Sequence, residues 1–277
     1  MKQIIVLLIG LFVLSTAALA VSGTSFDPSA FPLSARQLGL GGAGLGFAGD
    51  ANDVFANPAN LAGIAYPQLV GSSRKLLLEA TQYNQFAGAI PSDWGTFGFG
   101  YTGLGISGSL PSSLDPASGR IMIDASREAI GNTNSVMTFA YAKSLRPELS
   151  LGLGWKLYSQ AFSGGLTGQA NATGLDVSAA YKPFSWISTG VNLQNVLEGN
   201  LSWSSGTTDK IGGYYRFGCL VNALGNSQEA FKPYDKKVNV GLDIGLPHNL
   251  LNSAMTYGLG LEYFLSPQLS LRTGFNP

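Results

Sequence analysis

The amino-acid sequence predicts an all-β protein, a transmembrane antiparallel up-and-down β-barrel. Three observations carry that prediction. Apolar residues alternate with small or polar ones over stretches of about the 9–11 residues that a tilted spanning strand needs. Charged residues make up only 12% of the chain although its mean hydropathy is +0.17, about half the charge of an ordinary soluble domain. Beyond residue 20 no apolar run approaches the ~20 residues of a transmembrane helix.

The first element is a targeting segment. "MKQIIVLLIGLFVLSTAALA" has one early cation, Lys2, an apolar run from Ile4 to Val13, and Ala18 and Ala20 placed as an A-x-A cleavage site. This reads as a secretory signal peptide over 1–20, with a core too short to span a bilayer. The only cysteine is Cys219, so no intramolecular disulfide forms, and it reads as a small buried or lipid-facing hydrophobe. Without Lys2, fifteen of the sixteen cations face sixteen acids, a net charge near −1. Nucleic-acid binders carry a clear cationic excess, so that class is excluded.

The strands follow from period two. In "TNSVMTFAYAKSL", Met137, Phe139, Tyr141 and Leu145 oppose Thr138, Ala140, Ala142 and Ser144. "ELSLGLGWKLYSQAF" sets Leu149, Leu151, Leu153, Trp155 and Leu157 against Ser150, Gly152, Gly154, Lys156 and Tyr158. Val238, Val240, Leu242, Ile244 and Leu246 oppose Asn239, Gly241, Asp243 and Gly245; Tyr257, Leu259, Leu261, Tyr263 and Leu265 oppose Gly258, Gly260, Glu262 and Phe264. A soluble sandwich would crowd its solvent face with Lys and Glu. Here the second face holds glycine, small polar residues and isolated charges: Lys156, Asp176, Asp243, Glu262 and Arg272. A charge facing lipid is costly, so these five are expected to face the lumen. Aromatics within strands or at their ends, Trp94, Tyr101, Trp155, Tyr158, Trp186 and Trp203 among them, suit interfacial girdles.

Short connections with Pro, Asp or Asn (at Pro91, Pro147, Pro183 and Pro267) alternate with longer polar ones, 108–132, 163–169, 197–210 and 225–236. Barrels place their short turns at one end and their long loops at the other. About eleven strands fit between Tyr66 and Phe275. Single-chain bacterial barrels have even strand numbers, so C-terminal strands are expected to be missing from this sequence.

The stretch "ARQLGLGGAGLGFAGDANDVFANPANLAG" from Ala35 to Gly63 contains Gly39, Gly41 and Gly44 at G-x-G-x-x-G spacing, with Asp53 downstream. A dinucleotide site needs a hydrophobic strand just before the first glycine. "FDPSAFPLSARQL", with Pro28 and Pro32, supplies none. Through Ala35, Arg36, Leu38, Gly39, Gly41, Gly42, Ala43, Asp50, Ala51, Asn57, Pro58, Ala59, Leu61 and Ala62, the stretch resembles the N-terminal signature of the FadL-like outer-membrane barrels. It is closest to their PorV/PorQ-type members. "WGTFGFGYTGLG", "TFAYAKSL", "LSLGLGWKLY" and "LSLRTGFNP" resemble the family as well, while Ala56 and Asn60 stand where it commonly has an aromatic and Gly. The resemblance implies a barrel of about fourteen strands, with a plug at 21–65 inside a barrel formed by 66–277. The plug motif would be Arg36, Gly39, Gly41, Gly42, Asp50, Asn57 and Pro58.

No enzyme chemistry is expected. His248 is the lone histidine, in a turn-type sequence "GLPHNLLNS" that offers no nucleophile elbow. Asp115, Asp124 and Glu128 match no calcium-loop spacing, so no catalytic, metal or cofactor site is predicted. The resemblance implies a bacterial outer-membrane location and outer-membrane lipids as partners. Its main functional implication is passage of small hydrophobic compounds. The alternatives are a PorV-like partner of secreted proteins and a type IX secretion machine, or a structural outer-membrane protein.

Overall fold

The computed structural model describes residues 24–25, 27–31, 34–76, 81–109, 112–116, 118–123, 128–197, 199–224, 237–248, 255–266 and 268–276. The predicted signal peptide and Asp124 lie outside them. The chain is all-β. Its long strands are β2 (Gln68–Leu76), β3 (Thr81–Ser92), β4 (Gly95–Ser109), β7 (Ile130–Arg146), β8 (Leu149–Gly164), β9 (Gly168–Phe184), β10 (Ile187–Gln194), β13 (Tyr214–Leu224), β14 (Val238–Pro247), β15 (Thr256–Ser266) and β16 (Leu269–Phe275). Shorter strands are β1 (Thr24–Ser25), β5 (Ser112–Leu114), β6 (Ile121–Ile123), β11 (Asn200–Trp203) and β12 (Thr208–Ile211). Two small helices, α1 (Ala35–Gly39) and α2 (Asp53–Ala56), and a 3-10 turn, Pro58–Gly63, precede the sheet. Among the described residues no helix is long and apolar enough to cross a membrane.

The eleven long strands pair antiparallel with their neighbours in chain order, from β2 at one edge to β16 at the other. Among the described residues these two edges do not pair with each other, so the sheet is open between them. Alternation sets the two faces. Phe97, Phe99, Tyr101, Met137, Phe139, Leu151, Leu153, Trp155, Phe217 and Leu261 are exposed on one. Gly98, Gly100, Thr138, Gly152, Gly154, Lys156, Asp243 and Glu262 lie buried on the other, the inner face, which residues 27–31 and 34–64 cover.

Short turns at Asp93–Trp94, Pro147–Glu148 and Ser185–Trp186, and the one between β15 and β16, gather at one end of the sheet. The 110–129 and 195–213 connections leave from the other end. The predicted 225–236 loop lies outside the described residues, but its flanks depart from the predicted pattern: β13 ends and β14 begins at the short-turn end, where the Asn222 amide donates to the Trp186 carbonyl at 2.8 Å and the Phe264 amide to the Lys237 carbonyl at 2.8 Å. Loop length therefore does not mark the two ends of this sheet.

Candidate functional site

The glycine-rich stretch lies flat on the inner face, and the sheet is stripped of side chains where it does so. A Cβ at Gly152 would meet the Pro58 and Ala59 backbone, one at Gly258 or Gly260 the Leu40–Ala43 backbone, and one at Gly274 that of Leu40 and Gly41. Reciprocally, a Cβ at Gly41 would meet the Phe275 backbone, and one at Gly39 would come within 3.1 Å of Arg272 Cβ. Gly41 and Gly42 also need the left-handed backbone, with φ of 61° and 83°.

Charges on the inner face fasten this stretch. Arg36 forks onto Glu262 through Nε and Nη2 at 3.1 and 2.9 Å, and Arg272 Nε reaches the same carboxylate at 2.8 Å. Asn239 donates to it as well, at 3.0 Å. Such charge-assisted, two-pronged bonds fix orientation as well as position. Arg36 also lies 4.7 Å over the Phe47 ring. Asp243 Oδ2 accepts from the Gly44 and Leu45 amides at 2.7 and 3.0 Å.

Asn57 and Asn60 brace the segment from within, each donating to the Leu45 carbonyl, at 3.1 and 3.0 Å. Asn57 Oδ1 accepts from the Ala59 amide across Pro58, the local turn that an Asn-Pro pair favours. Asp50 Oδ1 accepts from the Asn52 amide at 2.9 Å. Its neighbour Asp53 is buried; that burial, with the Asp50 charge beside it, pushes its carboxyl well above the usual range.

A second anchor joins two of the charges expected in the lumen, Lys156 and Asp176, to Asp27, which the sequence reading did not single out. Lys156 is fully buried, with Nζ 2.8 Å from Asp176 Oδ2 and 3.2 Å from Asp27 Oδ2. Tyr158 Oη and Asn195 Nδ2 also donate to Asp27, at 2.8 and 3.3 Å. Burial works to raise the Asp27 carboxyl, but Lys156 and the hydrogen bonds from Ser29 and Tyr158 hold it below the ordinary range. Tyr158, set on the Lys156 face by the alternation but also expected in an interfacial girdle, is a buried inner residue. Asp27 gave no such signal, because it precedes every periodic stretch.

Beyond this anchor, toward the 110–129 connection, lies a cavity of about 480 Å³. Register sets its wall in two rows, Leu104–Asn134–Gln160 and Ile106–Asn132–Phe162, across β4, β7 and β8. The β11–β12 hairpin closes the side. Trp203 stacks on Phe162 with ring centroids 5.3 Å apart, and its indole N–H donates to Asp209 at 2.7 Å. Trp203 too is therefore an inner residue rather than part of a girdle. Ser25 on β1 donates to Gln160 Oε1 at 3.0 Å, and both line the cavity. Beneath it pack Val136, Tyr158, Ala170, Leu201 and Ile211, all buried.

An up-and-down antiparallel sheet with an apolar exposed face, and an inner face occupied by its own N-terminal segment, defines the class as an outer-membrane-type β-barrel fold. Comparison with solved structures agrees at the level of fold. The chain is similar to the toluene transporter TbuX of Ralstonia pickettii, with a TM-score of 0.59 and 14% identity over 91% of this chain and 87% of that one. It is also similar to a FadL homologue of Pseudomonas aeruginosa (TM-score 0.49, 11% identity, 88% of this chain and 79% of that one). The CymD monoaromatic hydrocarbon channel matches at TM-score 0.45 and 13% identity, over 91% and 94% of the two chains. The fold assignment rests on TbuX. No protein-family model and no curated protein sequence matches the chain.

Proposed function

We propose that this chain is a bacterial outer-membrane barrel through which small hydrophobic compounds pass. Residues 21–65 serve as the plug, and the five charges Lys156, Asp176, Asp243, Glu262 and Arg272 serve as its lumenal anchors. The observation that carries the reading is the cavity of about 480 Å³, walled by Leu104, Ile106, Phe162 and Trp203 on the inner face and lying beside the segment that fills the rest of that face. Its size is within the range of small-ligand sites, which are mostly apolar with a few placed polar groups. TbuX, the similar structure, is described as a toluene transporter. Uptake of radiolabelled toluene by cells with and without the protein tests the reading. Uptake should rise with expression and fall in a Trp203→Ala variant; equal uptake with and without the protein would overturn it.

One observation favours the secretion-partner alternative. The β5–β6 hairpin, in the 110–129 connection, exposes Leu114, Ile121, Met122 and Ile123. Apolar side chains clustered on an exposed hairpin suit a protein partner. Replacing all four by serine should leave toluene uptake unchanged and, on this alternative alone, block export of secreted proteins.

A further inference from the structure

We propose that the outward face of the sheet carries a binding site for one anionic phospholipid at the short-turn end of β7, β8 and β9. Lys143 and Arg146 hold its phosphate, and its acyl chains lie along Leu151 and Leu153. The proposal rests on the reading of that face as lipid-facing and is independent of what passes along the inner one.

Register brings the two cations to this face. On β7 the outward residues Met137, Phe139 and Tyr141 are followed in the same phase by Lys143, which pairs with Leu151 on β8. A bulge between Ser144 and Arg146 then shifts the phase, so that Arg146 pairs with Leu149, and Leu149 in turn with Tyr181 on β9. Arg146 therefore shares the outward face, which strict alternation would deny it. Among the described residues no other charge lies on the outward face of β7 or β8. Lys182, whose amide donates to the Glu148 carbonyl at 2.8 Å, sets a third exposed cation beside the same turn. Among the described residues none of the three is paired with a carboxylate.

The surroundings follow the depth profile of a lipid leaflet. A charge on a lipid-facing row is tolerated near the interface and not at the midplane. Lysine and arginine stems lie along apolar surface while their heads reach the headgroups. Toward the middle of the sheet, exposed Leu151 and Leu153 continue the row. Tyr141, whose hydroxyl donates to the Trp94 carbonyl at 2.6 Å, and exposed Tyr181 mark the interface beside the cations. The acids of this end, Asp93 and Glu148, stand in the turns 93–94 and 147–148, beyond the strand ends and farther from the apolar row than Lys143. Apolar, cationic and acidic layers thus face chains, phosphate and water in that order. Such short turns project nothing that could meet a sugar-bearing headgroup, so the occupant has a compact one. The unpaired cations favour a headgroup of net negative charge over a zwitterion, whose own ammonium already neutralises its phosphate.

The test is native mass spectrometry of the detergent-purified full chain at pH 7 with dioleoylphosphatidylglycerol, dioleoylphosphatidylcholine or lipid A added. The wild type should bind one phosphatidylglycerol at least about tenfold more tightly than phosphatidylcholine, since a Lys or Arg near an anionic lipid surface contributes about fivefold. Lys143→Gln together with Arg146→Gln should cut that preference to about threefold or less. Lys143→Arg together with Arg146→Lys, which keeps both charges, should retain it. Lys75→Gln, at an exposed position at the opposite end of β2, should leave it unchanged. If the double glutamine variant loses its heat-dependent gel shift, Lys143→Gln alone replaces it, with a fall of about fivefold expected. Equal binding of the two phospholipids by the wild type, or a preference that survives the double substitution, would overturn the proposal. So would an equal loss in Lys75→Gln, which marks a general charge effect, or tighter binding of lipid A than of phosphatidylglycerol. Each of these outcomes leaves the passage reading standing, because toluene uptake reads the inner face.

Discussion

Lys156 serves two carboxylates from a fully buried position, and that unequal stoichiometry decides what each partner's loss should do. Lys156→Met leaves Asp27 and Asp176 buried together with no cation, the situation that typically costs about 3–5 kcal/mol. Asp27→Asn leaves a neutral Lys156–Asp176 pair and weakens only charge-assisted hydrogen bonds, about 1.5–3 kcal/mol. The temperature at which the folded gel band disappears should therefore fall further for Lys156→Met; equal falls would show that the ion pair does not hold the N-terminal stretch. Asp53 makes a pH prediction of opposite sign to an ordinary salt-bridged aspartate. Its pKa is raised in the folded protein, so below its unfolded value both states are protonated and nothing is gained or lost. As pH rises from there toward the folded value, the unfolded segment releases its proton first, and docking of residues 34–64 weakens. Asp53→Asn should remove that weakening, making protease cleavage of the segment slower than in the wild type at pH 8 while the two match at pH 4. Faster cleavage of the variant at pH 8 would contradict the assignment.

At the scale of the element, neighbouring residues on one strand should behave oppositely. Leu151 is exposed on the apolar face of β8, and an arginine there should hinder insertion, at about 2–4 kcal/mol near the midplane. Gly152 faces inward against Pro58 and Ala59, so Gly152→Arg should insert normally and instead displace the 58–63 turn. Membrane fractionation and proteolysis separate the two; equal insertion would mean the faces are misassigned. The same alternation made the strands legible from sequence, since period two reports which side of a sheet is covered. About eleven strands were expected between Tyr66 and Phe275, and among the described residues eleven long ones pair in order, with four shorter strands besides. The cavity was not legible. Asn132, Asn134, Gln160 and Phe162 have the inward phase of period two but are spread over two strands, and only cross-strand register sets them in rows. Trp203 lies in a connection whose hairpin folds back beside β9, pairing Ser202 with Asn171. Nothing periodic in 195–213 announces that return.

For the whole molecule, the question is whether the sheet and the segment on its inner face are separable. The sheet's ladder is built from strands paired with each other, and none of those bonds passes through residues 34–64. The segment, in contrast, depends on glycine for its fit. Gly41 and Gly42 have left-handed backbones, and side chains at Gly39 and Gly41 would run into Arg272 and the Phe275 backbone on β16, the last strand in the sheet order. A valine at a left-handed position costs about 1–2 kcal/mol from backbone strain alone, before any clash. Changing Gly39, Gly41 and Gly42 to Val together should therefore exceed what the Arg36–Glu262 and Asp243 contacts can hold, while strands β2 to β15 keep their pairing. We expect the variant to insert and keep a β-dominated circular dichroism spectrum. In planar bilayers it should conduct small ions more readily than the wild type, and added protease should cut near Asn57–Pro58. Toluene uptake should lose its saturation, because an open lumen no longer routes the molecule through the cavity. Unchanged conductance together with unchanged cleavage would mean that these glycines do not hold a plug in place.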